Sequence, residues 1–236
     1  MFTILVAVLI VLVGSIIQGS VGIGLGFIAV PLLILLDQAY VPGPLLLVAL
    51  ILTILVSYRE YKTIVFSEIS WAIMGRIAGT FIGVAALVLI PDNKLAILFG
   101  IVILMAVGLS ISGFRLALLP RNLFLTGILS GIMGTTSAIG GVPMALIYQD
   151  LQGPELRGTL SAIFVIGTLI SILSLIVIGR FGTRELVLAL EIMPGVIIGY
   201  MISNHTIKLF DKGLIRSAIL LLAASSGVII LLKNII

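Results

Sequence analysis

Two long stretches of this chain contain no charged residue, one from Met1 to Leu36 and the other from Asn122 to Gln149. Over all 236 residues, 61% of the side chains are hydrophobic and only 9% are charged, whereas a soluble domain carries roughly 25% charged residues. So few charges cannot cover a water-exposed surface. Since a membrane span needs about 20 apolar residues, the chain has room for about eight, and we predict an all-α polytopic membrane protein.

The apolar runs divide the chain into eight predicted segments. They cover about 2–36, 42–58, 69–90, 95–113, 122–149, 156–179, 186–203 and 213–232. The first and fifth are interrupted by glycines, and each is followed by three continuous segments. This order predicts two transmembrane repeats, residues 1–113 and 122–236, joined by a linker over residues 114–121.

The two glycine-rich interruptions correspond in sequence. The first reads G-S-V-G-I-G-L-G from Gly19 to Gly26, and the second reads G-I-M-G-T-T-S-A-I-G-G-V-P from Gly131 to Pro143. Four residues recur at an offset of 112: Gly19, Gly22, Pro31 and Pro42 become Gly131, Gly134, Pro143 and Pro154. Interruptions at corresponding positions of two halves are the best sequence indication of a transporter's binding site.

Each interruption predicts a short helix whose amino end points into the protein. Irregular backbone persists at membrane depth only inside protein or beside a wet cavity, and exposed N–H groups at a helix start favour an anion. We therefore expect two helix N-termini to face one small anion at a site that needs no full positive charge, which fits the absence of lysine and arginine from these stretches of the sequence. The predicted substrate ligands are Gln18, Ser20, Gly22, Gly24, Gly26, Thr135, Thr136, Ser137, Gly140 and Gly141. Pro31 and Pro143 are expected to break the helices.

The path of the broken segments stays open at this level. Thirty-five helical residues would extend about 52 Å, against a hydrocarbon core of about 30 Å. A steep tilt, an unwound middle or a re-entrant hairpin would each absorb the excess, so the repeats are either parallel or inverted. If each broken segment crosses once, seven lysines and arginines, Arg59 and Arg180 among them, share the side of both termini and five lie opposite. The positive-inside rule then predicts cytoplasmic termini.

Three charged residues are candidates for coupling or gating. Arg76 and Glu191 lie within predicted spans, at adjacent positions of the two repeats. Intramembrane charges are costly and indicate function. One interpretation is an Arg76–Glu191 pair beside the substrate path, with Glu191 carrying a coupled proton; the other is that both snorkel to the interface. Arg157 begins the sixth segment, where it either attracts anions at a pore mouth or is a plain interfacial arginine.

Several functions are excluded or disfavoured by composition. The thirteen lysines and arginines are scattered rather than clustered, which disfavours nucleic-acid binding. There is no cysteine, and His205 is the only histidine, so we expect no cofactor, no metal site and no serine–histidine or paired-aspartate enzyme. The expected partners are lipid and a small anion. The spacings Gly79-x-x-x-Gly83 and Gly195-x-x-x-Gly199 predict close helix packing, and glycine-rich faces would equally suit a homodimer.

At its two interruptions the chain resembles the TauE/SafE sulfite exporter family of prokaryotic inner-membrane proteins. The resemblance is carried by Gly19–Gly26 with Val30-Pro31 and by Gly134–Gly141 with Val142-Pro143. The R-G-T of Arg157 to Thr159 and the P-G-x-x-x-G of Pro194 to Gly199 are also similar to that family. Leu25 departs from the pattern, since the family often has glycine there. The resemblance implies movement of sulfite or organosulfonates driven by a proton gradient; a passive channel, or a carrier of thiosulfate or a carboxylate, remains an alternative.

Overall fold

The computed structural model describes residues 2–113, 116–151, 153–207 and 214–235, and over these residues the chain is helical and contains no β-strand. Ten α-helices occur in this part of the chain. They are α1 Phe2–Val21, α2 Leu25–Leu36, α3 Gly43–Arg59, α4 Ile69–Leu89, α5 Leu95–Ile111, α6 Pro120–Ser137, α7 Gly141–Ile147, α8 Gly153–Val177, α9 Thr183–Thr206 and α10 Leu214–Ile235. Four of them, α1, α4, α8 and α9, are long and apolar enough to cross a membrane.

Every predicted apolar segment contains helix, and the two broken segments contain two helices each. The glycine interruptions therefore mark real helix ends, near residues 22–24 and 138–140. Pro120 and Arg121 were assigned to the linker but begin α6, because proline lacks only an N–H that a first helical turn leaves unpaired anyway.

The first broken segment folds back on itself. Gly22 and Gly24 at its turn have φ of 98° and 146°, a region that residues with a side chain rarely adopt. After the turn, Leu25 lies against Gly14, where a Cβ built on Gly14 would be 3.2 Å from the Leu25 Cα. Since Gly14 is nearly two turns before the end of α1, α2 returns along α1. The pair α1–α2 is a helical hairpin.

The second broken segment makes a hairpin of the same kind. Ala138 takes the left-handed conformation with φ of 61°, and its N–H donates to the Gly134 carbonyl at 2.8 Å. The chain then turns back, so that the Ser130 hydroxyl donates to the carbonyl of Gly140 at 2.6 Å. Helix α7 thus starts beside the middle of α6. Of the three paths open to the broken segments, the described residues take the hairpin.

The two prolines do not break the helices, contrary to expectation. Pro31 lies inside α2, and Pro143 is the third residue of α7. The turn is made before each proline by residues with positive φ. In the first turn of α7 the missing proline N–H costs no intrahelical hydrogen bond.

Glycines pack helices of the two halves against each other. Gly79 and Gly83 of α4 lie against Ile128 and Ile132 of α6, where a Cβ on Gly79 would overlap the Ile128 carbonyl oxygen. Because residue numbers rise together along this contact, α4 and α6 run in the same direction. The packing role predicted for these glycines is confirmed.

Helix α9 lies along α1 in the same way. A Cβ on Gly195 would lie 2.5 Å from the Val8 carbonyl oxygen, and one on Gly199 would lie 2.7 Å from that of Leu12. This contact also runs in one direction along both helices. The two glycine pairs are therefore occupied within one chain.

Helices α3 and α8 are antiparallel, and this places Arg59 and Arg180 at opposite ends of the molecule. Gly158 near the start of α8 lies against Glu60, whereas Gly43 at the start of α3 lies against Phe181 and Arg180. The grouping of Arg59 with Arg180 on one side is therefore wrong, since it assumed that each broken segment crosses once. Apart from Arg76, the lysines and arginines whose side chains the structure describes divide four and four between the two ends.

Candidate functional site

The turns of the two hairpins meet inside the protein. A Cβ on Gly26 of α2 would overlap the Ala138 carbonyl oxygen, and one on Gly141 of α7 would lie 3.2 Å from the Ile23 side chain. The backbones approach this closely only because glycine carries no side chain. The sequence-based expectation that both interruptions face one place agrees with these contacts.

A cavity of about 380 Å³ lies at the meeting point. Its wall combines both hairpin turns with the middle of α3 and with parts of α4 and α8. Five of the predicted ligands line it: Gln18, Gly24, Gly26, Gly140 and Gly141. The remaining wall is mainly apolar and includes Phe27, Leu45 and Phe164. This volume is of the size that takes a small molecule.

Gln18 joins the two helices of its hairpin. Its side-chain oxygen accepts a hydrogen bond from the Leu25 N–H at 3.0 Å. This bond occupies one of the N–H groups that the start of α2 would otherwise leave free. Gln18 thus closes part of the helix terminus that was expected to face an anion.

Two other predicted ligands of the first hairpin lie outside the cavity wall. The Ser20 hydroxyl lies 3.0 Å from that of Thr206 on α9. Gly22 lies against the backbone of Arg157, with 3.2 Å from a Cβ built on Gly22 to the Arg157 Cα. Both residues therefore hold the hairpin to its neighbours.

The three hydroxyl residues at the end of α6 also lie outside the cavity wall. Thr136 and Ser137 donate to carbonyls of their own helix, at 2.8 Å to Ile132 and 2.9 Å to Met133. Thr135 lies 2.8 Å from the Ser171 hydroxyl in a buried contact with α8. Their hydrogen bonds stabilise the hairpin and its packing.

Arg76 is the charged residue among the described residues of the cavity wall. Its side chain is buried, with 2% exposed, so the interpretation that it snorkels to the interface is wrong. Nη1 donates to Ser130 Oγ at 2.6 Å, Nη2 donates to Thr168 Oγ1 at 3.4 Å, and the guanidinium carbon lies 5.0 Å from the Phe164 ring centroid. Within the described part of the chain, no ion pair includes Arg76.

The expected pair between Arg76 and Glu191 does not form. Glu191 instead accepts a hydrogen bond from the Tyr40 hydroxyl at 3.0 Å, near the end of α2. Tyr40 is buried, and burial together with this hydrogen bond raises its pKa to about 12. The tyrosine therefore keeps its proton and remains a hydrogen-bond donor to Glu191 across physiological pH.

An arginine lies at each interruption, although neither arginine is near it in the sequence and the site was expected to need no full positive charge. Gly134 and Gly140 of the second hairpin lie against the Arg76 guanidinium, with distances of 3.1 and 2.7 Å from a built Cβ to Nη2 and Nη1. Arg157 lies against the turn of the first. The packing of α4 on α6 and of α8 on α1 brings these residues together from distant parts of the sequence.

Arg157, which is buried, belongs to a charge cluster at the end of α1, formed with the half-buried Arg59 and Glu60 and called here the Glu60 cluster. One carboxylate oxygen of Glu60 lies 3.0 Å from both arginines. Arg157 also donates to the Ser20 carbonyl at 3.3 Å, and Arg59 donates to that of Gly19. The cluster ties the last turn of α1 to α3 and α8.

Sequence reasoning missed the residues that hold these arginines. Ser130 and Thr168 carry no signal of their own, because serine and threonine are common in membrane helices. Glu60 is a single acidic residue in a polar connection. The nearest indication was Gly131, next to Ser130, which marked the second interruption.

A family model described as sulfite exporter TauE/SafE matches residues 6–230, which is nearly the whole chain. No curated protein and no solved structure matches it significantly.

Proposed function

The chain belongs to the TauE/SafE sulfite exporter family, a family of membrane transporters of sulfur anions, and we propose that it is a secondary transporter of sulfite or an organosulfonate. In this proposal the anion binds between the two hairpin turns and transport is driven by a proton gradient. One observation carries it: two hairpin turns border a cavity of about 380 Å³ whose wall holds a buried arginine without a carboxylate partner among the described residues.

We propose further that the two halves are inverted repeats. Helices α1 and α3 end together, since Arg59 at the end of α3 donates to Gly19 in α1. Arg180 follows α8 and donates to Leu87 near the end of α4, so α4 and its parallel partner α6 run opposite to α1. The hairpin that begins the first half then runs opposite to the hairpin that begins the second half. Inverted repeats with the substrate between interrupted helices are a recurring plan of secondary transporters.

The packing of helices supports this plan. Helix α6 packs on α4, and α1 packs on α9; α3 with α8 and α5 with α10 complete the pairs. If the halves are repeats, α1 is equivalent to α6 and α4 to α9, so the contacts α1–α9 and α6–α4 are equivalent. An alternating-access cycle would rock these pairs around the cavity, and opening at the α1 end would require the Glu60 cluster to loosen.

Proton coupling is assigned in this proposal to Glu191. It is half-buried and lies in an apolar helix that packs on the first hairpin, and Tyr40 links it to the end of α2. Its protonation would therefore change a contact between a hairpin and its neighbour. A passive channel through the same cavity would need no such group.

The test is sulfite flux into proteoliposomes, with and without an imposed pH gradient, compared with empty liposomes. Saturable flux that the gradient enhances supports a proton-coupled carrier. Flux that neither saturates nor responds to the gradient identifies a channel. If sulfite gives no flux, methanesulfonate, thiosulfate and acetate in the same vesicles decide whether another small anion is carried.

The protein is a multi-pass membrane protein by its family and its apolar helices. We propose the cell's inner membrane as its location, with both termini on the same side of it. Phe2 and Asn234 lie at the same end of the molecule, since α1 begins beside the start of α9 and Asn234 lies near Gln38. Reporter fusions at either terminus would test this orientation.

A further inference from the structure

We infer that Arg76 binds the anionic group of the substrate directly, an inference that rests on the proposed transport function and names the residue that recognises the charge. The ligand class is an oxyanion that presents two oxygens to one guanidinium, which includes sulfite, sulfonates and carboxylates. One interpretation of the sequence pairs Arg76 with Glu191; the present inference gives the charge of Arg76 a different partner.

The first argument is the missing counter-charge. A buried charge is tolerated when it is paired, and an unpaired one costs several kcal/mol. The side-chain partners of Arg76 are Ser130 and Thr168, which are neutral hydroxyls, and the face of Phe164. Over the described residues the ion pairs involve Glu60 with Arg59 and Arg157 only. An anion arriving in the cavity would supply the missing charge.

The second argument is the number of free donors. A guanidinium carries five N–H groups, and the described contacts of Arg76 use two of them, one on each terminal nitrogen. The Nε has no hydrogen-bond partner although it is buried. Each terminal nitrogen therefore keeps one N–H for a ligand, and an oxyanion accepts such a pair in parallel.

The third argument is position. Arg76 lines the cavity at the second hairpin, where Gly134 and Gly140 make room for its terminal nitrogens. Ser130 accepts from Arg76 and donates to the Gly140 carbonyl at 2.6 Å. The guanidinium is thus fixed to the turn of the hairpin by a side chain with both hydrogen-bonding roles satisfied. An anion bound there would contact the turn as well as the charge.

The experiment compares four purified proteins: wild type, Arg76→Met, Arg76→Lys and the control Arg184→Met. Arg184 is an exposed residue in the first turn of α9, so its removal changes the net charge by the same amount outside the cavity. Each protein is measured for thermal unfolding with and without sulfite, methanesulfonate or acetate, and for flux in proteoliposomes.

Wild type and Arg184→Met are expected to show anion-dependent stabilisation and flux. Arg76→Met should lose the stabilisation and at least about tenfold of the flux, because a charge-assisted bidentate contact is lost. Arg76→Lys should be intermediate, since an ammonium keeps the charge without the fork of donors. Without anion, Arg76→Met should unfold at the wild-type temperature or above it, because replacing an unpaired buried charge by an apolar side chain removes its desolvation cost.

Three results would overturn the assignment. If Arg76→Met responds to anions as strongly as Arg184→Met does, another group binds the anion. If Arg76→Met is less stable than wild type without anion, Arg76 has a structural role instead. If Arg76→Met does not fold, an undiminished anion response in Arg76→Lys would overturn the assignment in its place. If wild type itself responds to none of the anions, the proposed transport function fails, and this inference fails with it.

Discussion

Gly26 lies directly against the carbonyl oxygen of Ala138, so the backbones of the two hairpins touch where their turns meet. The first residue comes from the start of α2 and the second from the end of α6, and 112 positions separate them in sequence. No side chain lies between the hairpins at this point. The contact makes the relative position of the two turns sensitive to a single methyl group.

Gly26→Ala is expected to separate the turns and to abolish transport. The added Cβ would overlap the Ala138 carbonyl, and overpacking of this kind costs about 1–3 kcal/mol. Gly108→Ala is the matched control, because it lies within α5 and a Cβ there has no atom within 4 Å. Flux and unfolding temperature should fall for the first variant only; equal flux in both would show that the contact is dispensable.

Gly24→Val should be more damaging than Gly141→Val, although both line the cavity. Gly24 has φ of 146°, and its Cβ would lie 2.7 Å from the Ile17 side chain, whereas that of Gly141 would lie 3.2 Å from Ile23. Backbone strain adds about 1–3 kcal/mol at Gly24 alone. Both variants should insert in the membrane without transporting, and the Gly24 variant should also unfold at lower temperature. Normal flux in either folded variant would remove that glycine from the site.

Gly167→Ala should displace Arg76 without changing any charge. A Cβ at this position of α8 would overlap the Arg76 side chain, which the hydrogen bonds to Ser130 and Thr168 hold in place. The expected result is a higher KM for the anion, or loss of flux, in a protein that still folds. Unchanged KM would mean that the guanidinium adapts without consequence.

Glu60→Gln should destabilise the protein by about 3 kcal/mol, because removing one partner leaves a buried charge uncompensated. Side-chain exposure is 11% for Glu60 and 6% for Arg157, so water screens this pair little. Adding Arg157→Met to Glu60→Gln should restore much of the loss. Chemical or thermal unfolding of the single and double variants measures the effect, and a loss that the second substitution deepens would contradict it.

Glu191→Gln should transport sulfite without responding to a pH gradient, because the amide cannot carry the coupled proton. Tyr40→Phe keeps the carboxylate but removes the hydrogen bond that links Glu191 to the end of α2, so it should weaken the response to the gradient without abolishing it. Flux should remain gradient-dependent in the tyrosine variant. A Glu191→Gln protein that still responds to the gradient would move the coupling role to another residue.

The helical segments and the interruptions were predictable because both depend on local composition. Apolar runs without charge specify helices in lipid. Several glycines within eight residues favour a turn whatever fold surrounds them. The ends of the helices fell within a few residues of the predicted limits. The direction taken after each turn was not predictable, since tilt, unwinding and a hairpin all satisfy the same apolar length.

The surroundings of Arg76 depend on packing between distant helices. Ser130 and Thr168 are separated from it by 54 and 92 residues, and no local pattern encodes that approach. The same limit explains why the interpretation that pairs Glu191 with Arg76 is wrong, since it rested on two charges within predicted spans and on their positions in the repeat alignment. Alignment gave adjacent positions in two repeats, but adjacency in an alignment is not adjacency in space.

The long helix of each hairpin packs on a helix from the other half of the chain, α6 on α4 and α1 on α9. A polypeptide cut between α5 and α6 would therefore yield two fragments, each exposing a glycine-lined surface shaped for the other. Neither fragment could complete its own packing, so the two would have to associate before either became native. Division of the gene into halves does not divide the folding unit.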